Sequence, residues 1–318
     1  MVMTTKLVYI TGCLGFIGGY VTETCLKLGW HVMGIDCETY AANLELLPKL
    51  ARYKNFTYQC KNINDLNMLY DCDYIINTAA ETHVDNSIIN SDEFIHSNIN
   101  GVHNLLRLIQ TKHRFKMPTL VQFSTDEVYG DLVKGSFDET ASLKPSNPYS
   151  ATKASADHLI QSYHRTFKIP YLIVRPTNNY GVGQYVEKFI PKTCQYLALE
   201  KKVPLHEKGT PIRCWLHAQD TTNAVIHLLK NDIVNDVYNI SGNYEDTNLN
   251  VFKKILSKFG INQDDYLEYV DFSVNRPGQD VRYHINDDKL RKSGWDNQIN
   301  FNLALNDVVH HHRMNFKW

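Results

Sequence analysis

Tyr149 and Lys153 stand four residues apart in the segment Tyr149-Ser150-Ala151-Thr152-Lys153. On a helix that spacing puts a phenol and an ammonium on one face. A phenol with a pKa of about 10 is a poor base at neutral pH, and a neighbouring cation favours its phenolate form. Such a pair can take a proton from a hydroxyl while hydride leaves the same carbon. Just upstream, Ser124-Thr125-Asp126-Glu127-Val128-Tyr129-Gly130 sets a Thr hydroxyl beside two adjacent carboxyls. Two carboxyls can divide acid and base roles when their surroundings separate their pKa values. Both patterns also arise by chance: a Tyr-x-x-x-Lys spacing alone means little, and most Asp-Glu pairs are solvated loop acids.

A third pattern gives these residues a context. Thr11-Gly12-Cys13-Leu14-Gly15-Phe16-Ile17-Gly18 follows an apolar run and opens a helix-period segment. Gly12 can take a turn that a Cβ would strain, Gly15 lets the backbone approach a pyrophosphate, and Gly18 allows close helix packing. The helix N-terminus, with Phe16 and Ile17, then presents free N–H groups to an anion. Asp36 ends the next apolar run, where a carboxylate can accept hydrogen bonds from both adenosine ribose hydroxyls. It would repel a 2′-phosphate, which favours NAD over NADP.

The elements that must position these groups read as alternating strands and helices. Strands are expected at 6–11, 31–36, 56–60, 73–78, 119–124 and 171–175, with helices at 16–28, 92–113 and 149–167. This alternation implies βαβ units and a Rossmann-type doubly wound parallel sheet of the α/β class. Further on, helices are expected at 187–200, 219–229 and 249–259, with a strand at 237–240 able to return to the sheet. The division read here is 1–180 for an NAD-binding Rossmann domain carrying the catalytic residues. Residues 181–318 are expected to form mainly a smaller C-terminal substrate-binding region, with parts returning to the first.

The chain has 318 residues, of which 43% are hydrophobic and 21% charged, a globular mix. With 33 Lys plus Arg against 34 Asp plus Glu, its net charge of -1 offers no global field for a nucleic acid or an anionic membrane. Mean hydropathy is -0.36, and no apolar run is long enough to span a bilayer. Its start lacks the basic region and cleavage site of a signal peptide. Seven cysteines without a C-x-x-C pattern argue for reduced thiols in a cytoplasmic protein. The His310-His311-His312 run has no Cys or carboxylate at ligand spacing, so a surface or helix-packing role rather than a metal site is expected.

Taken together, TGCLGFIG (11–18), AAETHVDNSI (79–88), STDEVYG (124–130), NPYSATKA (147–154), NNYG (178–181), EKFIP (187–191) and RPGQD (276–280) resemble the extended short-chain dehydrogenases/reductases. Within them the chain is similar to the nucleoside-diphosphate-glucose 4,6-dehydratases over nearly its whole length. STDEVYG discriminates best, because the related sugar epimerases usually lack the Asp-Glu pair. The resemblance implies that Tyr149 takes the proton of the glucose 4-hydroxyl, Lys153 holds the nicotinamide ribose and tunes Tyr149, and Thr125 binds the 4-oxygen. It gives Glu127 the C5 proton and makes Asp126 the acid for the departing C6 hydroxyl. NAD would be tightly held and regenerated in each turnover.

The same resemblance puts Asn62 and Ile63 against adenine, although the family usually has Asp at the first position. Ala79, Ala80 and Thr82 would lie along the cofactor, with Ser97 and Asn179 near it. His83 would face substrate. Asn178, Glu187, Lys188 and Phe189 would bind the sugar and diphosphate side, and Pro204, His206, Arg213, Asn248 and Arg276 the nucleotide. An Arg fork suits phosphate oxygens. Asn275 and Gln279 replace the usual Asp and His of the DRPGHD turn, and Val182-Gly183 replaces a usual Pro-Tyr or Pro-Asn. These departures bear on base identity rather than reaction type. THVDNS, PSNPYSATK and DKLRKSGW look more like the UDP-glucose dehydratase domain of plant-type rhamnose synthases, so UDP-glucose is favoured over dTDP-glucose. The family also implies a homodimer, which the stripe Leu105, Leu106, Leu108 and Ile109 would fit as well as a sheet-facing helix would. The product, a step toward rhamnose or another deoxysugar, would pass to a separate epimerase and reductase. The rival readings are a nucleotide-sugar 4-epimerase and a non-enzymatic NAD-sensing regulator; the presence of Tyr149 and Lys153 weighs against the latter.

Overall fold

The computed structural model describes residues 5–112, 116–274, 276–278 and 280–315. Its strands are β1 (Leu7–Thr11), β2 (His31–Asp36), β3 (Phe56–Cys60), β4 (Tyr74–Asn77), β5 (Thr119–Phe123), β6 (Tyr171–Pro176), β7 (Asn178–Tyr180), β8 (Val203–Pro204), β9 (Ile212–His217), β10 (Asp236–Ile240), β11 (Tyr244–Thr247) and β12 (Val270–Asp271). The helices are α1 (Phe16–Lys27), α2 (Leu46–Leu50), α3 (Val84–Ile89), α4 (Asp92–Phe94), α5 (Gly101–Gln110), α6 (Pro148–Phe167), α7 (Phe189–Ala198), α8 (Ala218–Lys230), α9 (Asn248–Lys258), α10 (Asp288–Lys292) and α11 (Phe301–Met314). None is long and apolar enough to cross a membrane.

Seven parallel strands form the central sheet in the order β10-β6-β5-β4-β1-β2-β3. Its middle strands read as unbroken apolar runs because helices cover both faces. Side-chain alternation divides the core in two. Val8, Ile10, Val121 and Val174 face α1 and α8, while Ile75, Leu120 and Ile173 face α5 and α6. The expected Rossmann-type fold is the fold observed. Asp236–Ile240 joins the sheet beside β6, so late chain completes the early layer. A smaller sheet, β11-β9-β7, packs with α7, α9 and α11 around Tyr180, Trp215, Phe252 and Leu305.

The helix read over 92–113 is unbroken from Asp92 to Gln110 but is not α-helical throughout: α4 runs straight into a π-helical stretch, Ile95–Asn100, which continues as α5. His113 lies outside the described residues. The wide turn brings Asn98 inward, where its amide bonds both backbone groups of Glu81 and the Thr152 hydroxyl. The apolar stripe Leu105, Leu106, Leu108 and Ile109 is buried in its own chain against the sheet. It is therefore the sheet-facing alternative and offers nothing to a second subunit. His312, in α11, is buried with its Nε2 at 3.4 Å from the Gly181 carbonyl, so the helix-packing expectation fits it.

Candidate active site

Turn chemistry at the ends of β1, β4 and β5 shapes one groove over the sheet's carboxyl edge. Gly12 has φ +72°, and a Cβ there would come 2.7 Å from the Ala79 nitrogen. A Cβ on Gly18 would come 1.9 Å from the Gly12 carbonyl oxygen, so only glycine lets α1 start this close to β1. The loop and helix thus form a cradle that side chains would fill. Asp36 is buried at the end of β2 and accepts hydrogen bonds from the backbone N–H groups of Leu14 and Glu38, both at 2.9 Å. Burial raises its pKa, and those two bonds oppose the rise.

The groove has three connected parts. Gly12, Gly15, Asp36, Asn62, Ile63, Ala79, Ala80 and Ser97 line one end. Gly12, Gly15, Phe16, Ile17, Gly18, Ala80, Thr82, Thr125, Asp126, Glu127, Tyr149, Asn178 and Asn179 line the middle. Thr82, His83, Glu127, Asn178, Glu187, Lys188, Phe189, Pro204, His206, Arg213, Asn248 and Arg276 line the other end. Of the residues singled out from the sequence, Lys153 alone is not at the wall. It is buried behind Tyr149, and its Nζ donates to the Phe123 carbonyl at 2.6 Å.

The reacting groups sit where two elements meet. Asn147 caps α6 by accepting from the Ser150 N–H at 2.9 Å, and Pro148 opens the first turn. Such a cap contributes about 1 kcal/mol and fixes the helix start. The Tyr149 N–H donates to Ser87 Oγ at 3.2 Å, and its phenol hydrogen-bonds Thr125. Gly130 turns the chain after β5 with φ +84°, because a Cβ there would meet the Lys144 carbonyl oxygen at 2.3 Å. Asp126 is 3% exposed, and its Oδ2 has no hydrogen-bond partner. Burial and the neighbouring Glu127 charge push its pKa up to about 8, against the pull of Arg213. Glu127 is raised by burial, opposed by Arg213 and by a hydrogen bond from Asn147. The two carboxyls differ in setting: Asp126 is buried with an unpartnered Oδ2, whereas Glu127 lines both the middle and the far part of the groove.

Tyr149 differs from the sequence reading in one respect. Burial and the Glu127 charge raise its phenol pKa. Lys153 spends its nearest hydrogen bond on the Phe123 backbone, so the protein's own groups do not deliver the lowering expected from the pair.

At the far end the cations are held by partners. Arg276 makes a two-pronged ion pair with Asp85 through its Nε and, at 3.0 Å, its Nη2. Arg213 donates to the backbone carbonyls of Ile212 and Asp280 and lies 4.5 Å from the Tyr283 ring centre. Lys188 Nζ donates to the carbonyl and hydroxyl of Thr82, each at 2.9 Å, and pairs with Glu187 at 3.1 Å. Asn178 Oδ1 and Asn248 Oδ1 are buried without partners. His83 accepts from the Asn86 N–H, and burial lowers its pKa. Sequence reasoning did not single out Asp85, Asn147, Lys192, Trp215, Asp280 or Tyr283, which line this end. Asp85, Asn147 and Asp280 lie inside matching motifs and could have been found there; Lys192 and Trp215 carry no such signal. Asn275 and Gln279 lie outside the described residues.

A parallel sheet with a Gly-rich first turn and a buried Tyr/Lys pair on one helix defines the short-chain dehydrogenase/reductase class in its extended form. Residues 9–308 match the family described as GDP-mannose 4,6 dehydratase, and the chain belongs to that family. A dTDP-glucose 4,6-dehydratase of Haemophilus influenzae is 35% identical over 95% of this chain and 96% of its own length. A trifunctional Arabidopsis thaliana protein, named for UDP-glucose 4,6-dehydratase, 3,5-epimerase and reductase activities, is 34% identical over 98% of this chain and 48% of its own length. The Streptomyces venezuelae dTDP-glucose 4,6-dehydratase, solved with NAD and TYD bound, superposes with a TM-score of 0.91. It is 30% identical and covered over 97% of each chain.

Proposed function

We propose that this chain is an NAD-dependent nucleoside-diphosphate-glucose 4,6-dehydratase, a hydro-lyase whose product is the 4-keto-6-deoxy sugar nucleotide. The observation that carries the reading is the unlike pair Asp126 and Glu127 beside Thr125 and Tyr149 in one groove. An epimerase, which uses the C4 step alone, needs no such pair. The glycine cradle and Asp36 fit a dinucleotide, with Asn62, Ile63, Ala79, Ala80, Thr82, Ser97 and Asn179 along it. Bound NAD would take hydride from C4 and later return it at C6, and its positive ring would favour the Tyr149 phenolate that the protein alone disfavours.

Tyr149 takes the 4-hydroxyl proton while Thr125 holds that oxygen. The resulting 4-ketone makes the C5 proton acidic, and Glu127 removes it. Asp126 gives its proton to the C6 hydroxyl, which leaves as water. C5 is then reprotonated. Lys153 would hold the cofactor ribose by turning its ammonium from the Phe123 carbonyl toward the groove beside Tyr149. His83, Asn178, Glu187, Lys188 and Phe189 surround the sugar and diphosphate. Pro204, His206, Arg213, Asn248 and Arg276 hold the nucleotide, which makes 181–318 mainly the nucleotide-sugar region and 1–180 the catalytic one. UDP-glucose is the first substrate to try, on the THVDNS, PSNPYSATK and DKLRKSGW similarities. A cytoplasmic homodimer feeding a separate epimerase and reductase completes the reading. Ile88, Ile89, Ile95 and Phe167 are exposed around its helical side, and a monomer by sedimentation at micromolar concentration would remove the dimer.

The test is to mix purified protein with UDP-glucose and, separately, dTDP-glucose without added cofactor, and to follow mass. Loss of one water from either supports the dehydratase, and the relative rates name the base. An unchanged mass with a galactose product, even after NAD is added, would make it an epimerase and sink the roles of Asp126 and Glu127.

A further inference from the structure

Behind the reacting groups lies a buried ion pair that the reaction as written does not use. Asp157 is one turn beyond Lys153 on α6 and is 0% exposed. Its Oδ2 accepts from Ser124 Oγ and Arg175 Nε, both at 3.0 Å, and Arg175 Nη2 is also at 3.0 Å. Its Oδ1 has no hydrogen-bond partner. Arg175 is 3% exposed on β6 and also donates to the Tyr129 hydroxyl at 2.7 Å, which in turn donates to Asn239 Oδ1 at 2.8 Å.

Two successive turns of α6 therefore grip consecutive residues at the end of β5. Lys153 bonds the Phe123 carbonyl and Asp157 bonds the Ser124 hydroxyl. The next residue is Thr125, which meets Tyr149 on the same helix. A buried pair of this kind adds little net stability over an apolar one, so its presence asks for another reason. We propose that Asp157 is a positioning residue for the proposed catalytic pair: it supplies a buried negative charge one helical turn from Lys153 and ties the end of β5 to the helix that carries Tyr149. The proposal rests on the dehydratase reading, because it gives Lys153 a cofactor to hold.

The charged and titratable groups around this point are Lys153 and Tyr149 on α6, Arg175 and Tyr171 on β6, and Tyr129 on the turn after β5. Among them Asp157 is the charge that supports the Lys153 ammonium, while burial draws the Lys153 pKa down to about 8. Without that anion Lys153 would discharge at lower pH. Arg175 pairs with Oδ2, the same Asp157 oxygen that accepts from Ser124.

Asp157→Asn leaves a buried cation unpaired and can fail to fold, so the double variant Asp157→Asn/Arg175→Gln, which removes both charges, is tested with it. Two readouts are taken on the purified holoenzyme. One is the NAD retained after desalting from neutral to alkaline pH. The other is the pH profile of single-turnover oxidation at C4. In either variant that folds, both alkaline limbs should move down by about one pH unit, with KM for the nucleotide sugar unchanged. Asp157→Glu should restore most of the wild-type profile. Limbs that coincide with wild type in the folded double variant would overturn the proposal, whatever happens to thermal stability. A wild-type protein that neither retains NAD nor dehydrates a nucleotide sugar would instead sink the reading beneath it.

Discussion

The role proposed for Asp126 calls for an acid at a pH where an exposed carboxyl has already ionised. Its burial makes that possible, and the consequence has two signs. The acid form is present below about 8, so dehydration should fall as pH rises through that value. The folded chain holds a proton that the unfolded chain has released above the ordinary carboxylate range, so the associated stability is present in acid and lost as pH rises toward the folded pKa. Asp126→Asn should lower dehydration by roughly 10²- to 10⁴-fold. The same change should raise the melting temperature above pH 8, because the buried charge is gone. A variant with unchanged dehydration, or one less stable than wild type at alkaline pH, would contradict this account. The residue types and their spacing were legible in the sequence. What the spacing of Tyr149 and Lys153 could not show is where the ammonium points: its nearest partner, Phe123, is set by how α6 packs on β5.

At the scale of elements, the strands and helices of the central sheet were legible because burial on two faces leaves apolar runs. The π-helical stretch Ile95–Asn100 was not, since its cause is a long-range contact: Asn98 reaching the backbone of Glu81 across the groove. A second long-range contact, Asp85 on α3 with Arg276 in the segment between β12 and α10, ties two walls of the far end together. Arg276 cannot keep that fork and give both prongs to a phosphate, so the nucleotide binding proposed there would trade one partner for the other. Arg276→Ala should raise KM for the nucleotide sugar roughly 10- to 100-fold, the effect of losing charge-assisted bonds worth about 1.5–3 kcal/mol. NAD content should stay as in wild type, because Arg276 lies at the opposite end from Asp36. Loss of bound NAD in this variant would mean that the turn supports the fold rather than the nucleotide.

For the whole molecule, the late chain is held to the early chain by an interior that contains neutral histidines. His217 ends β9 and packs against Tyr20 and Tyr180, and His312 packs from α11 onto the Gly181 carbonyl. Burial lowers both pKa values from 6.5 to about 4. On acidification the unfolded chain takes up these protons first, so stability is complete above the unfolded pKa and is lost between it and the folded value. Each group can contribute up to about 1.4 kcal/mol per pH unit in that window. Asp126 works in the opposite direction, which makes the steepness of the net loss a test of the histidines themselves. The wild-type melting temperature should fall from pH 7 to pH 5, and His312→Gln, which cannot gain a proton, should fall by less. If the two curves run parallel, His312 titrates with an ordinary pKa and the Gly181–α11 contact is open to water. If the variant is flatter, the acid limit of this protein lies in the packing of its last helix, away from the groove where the chemistry is proposed.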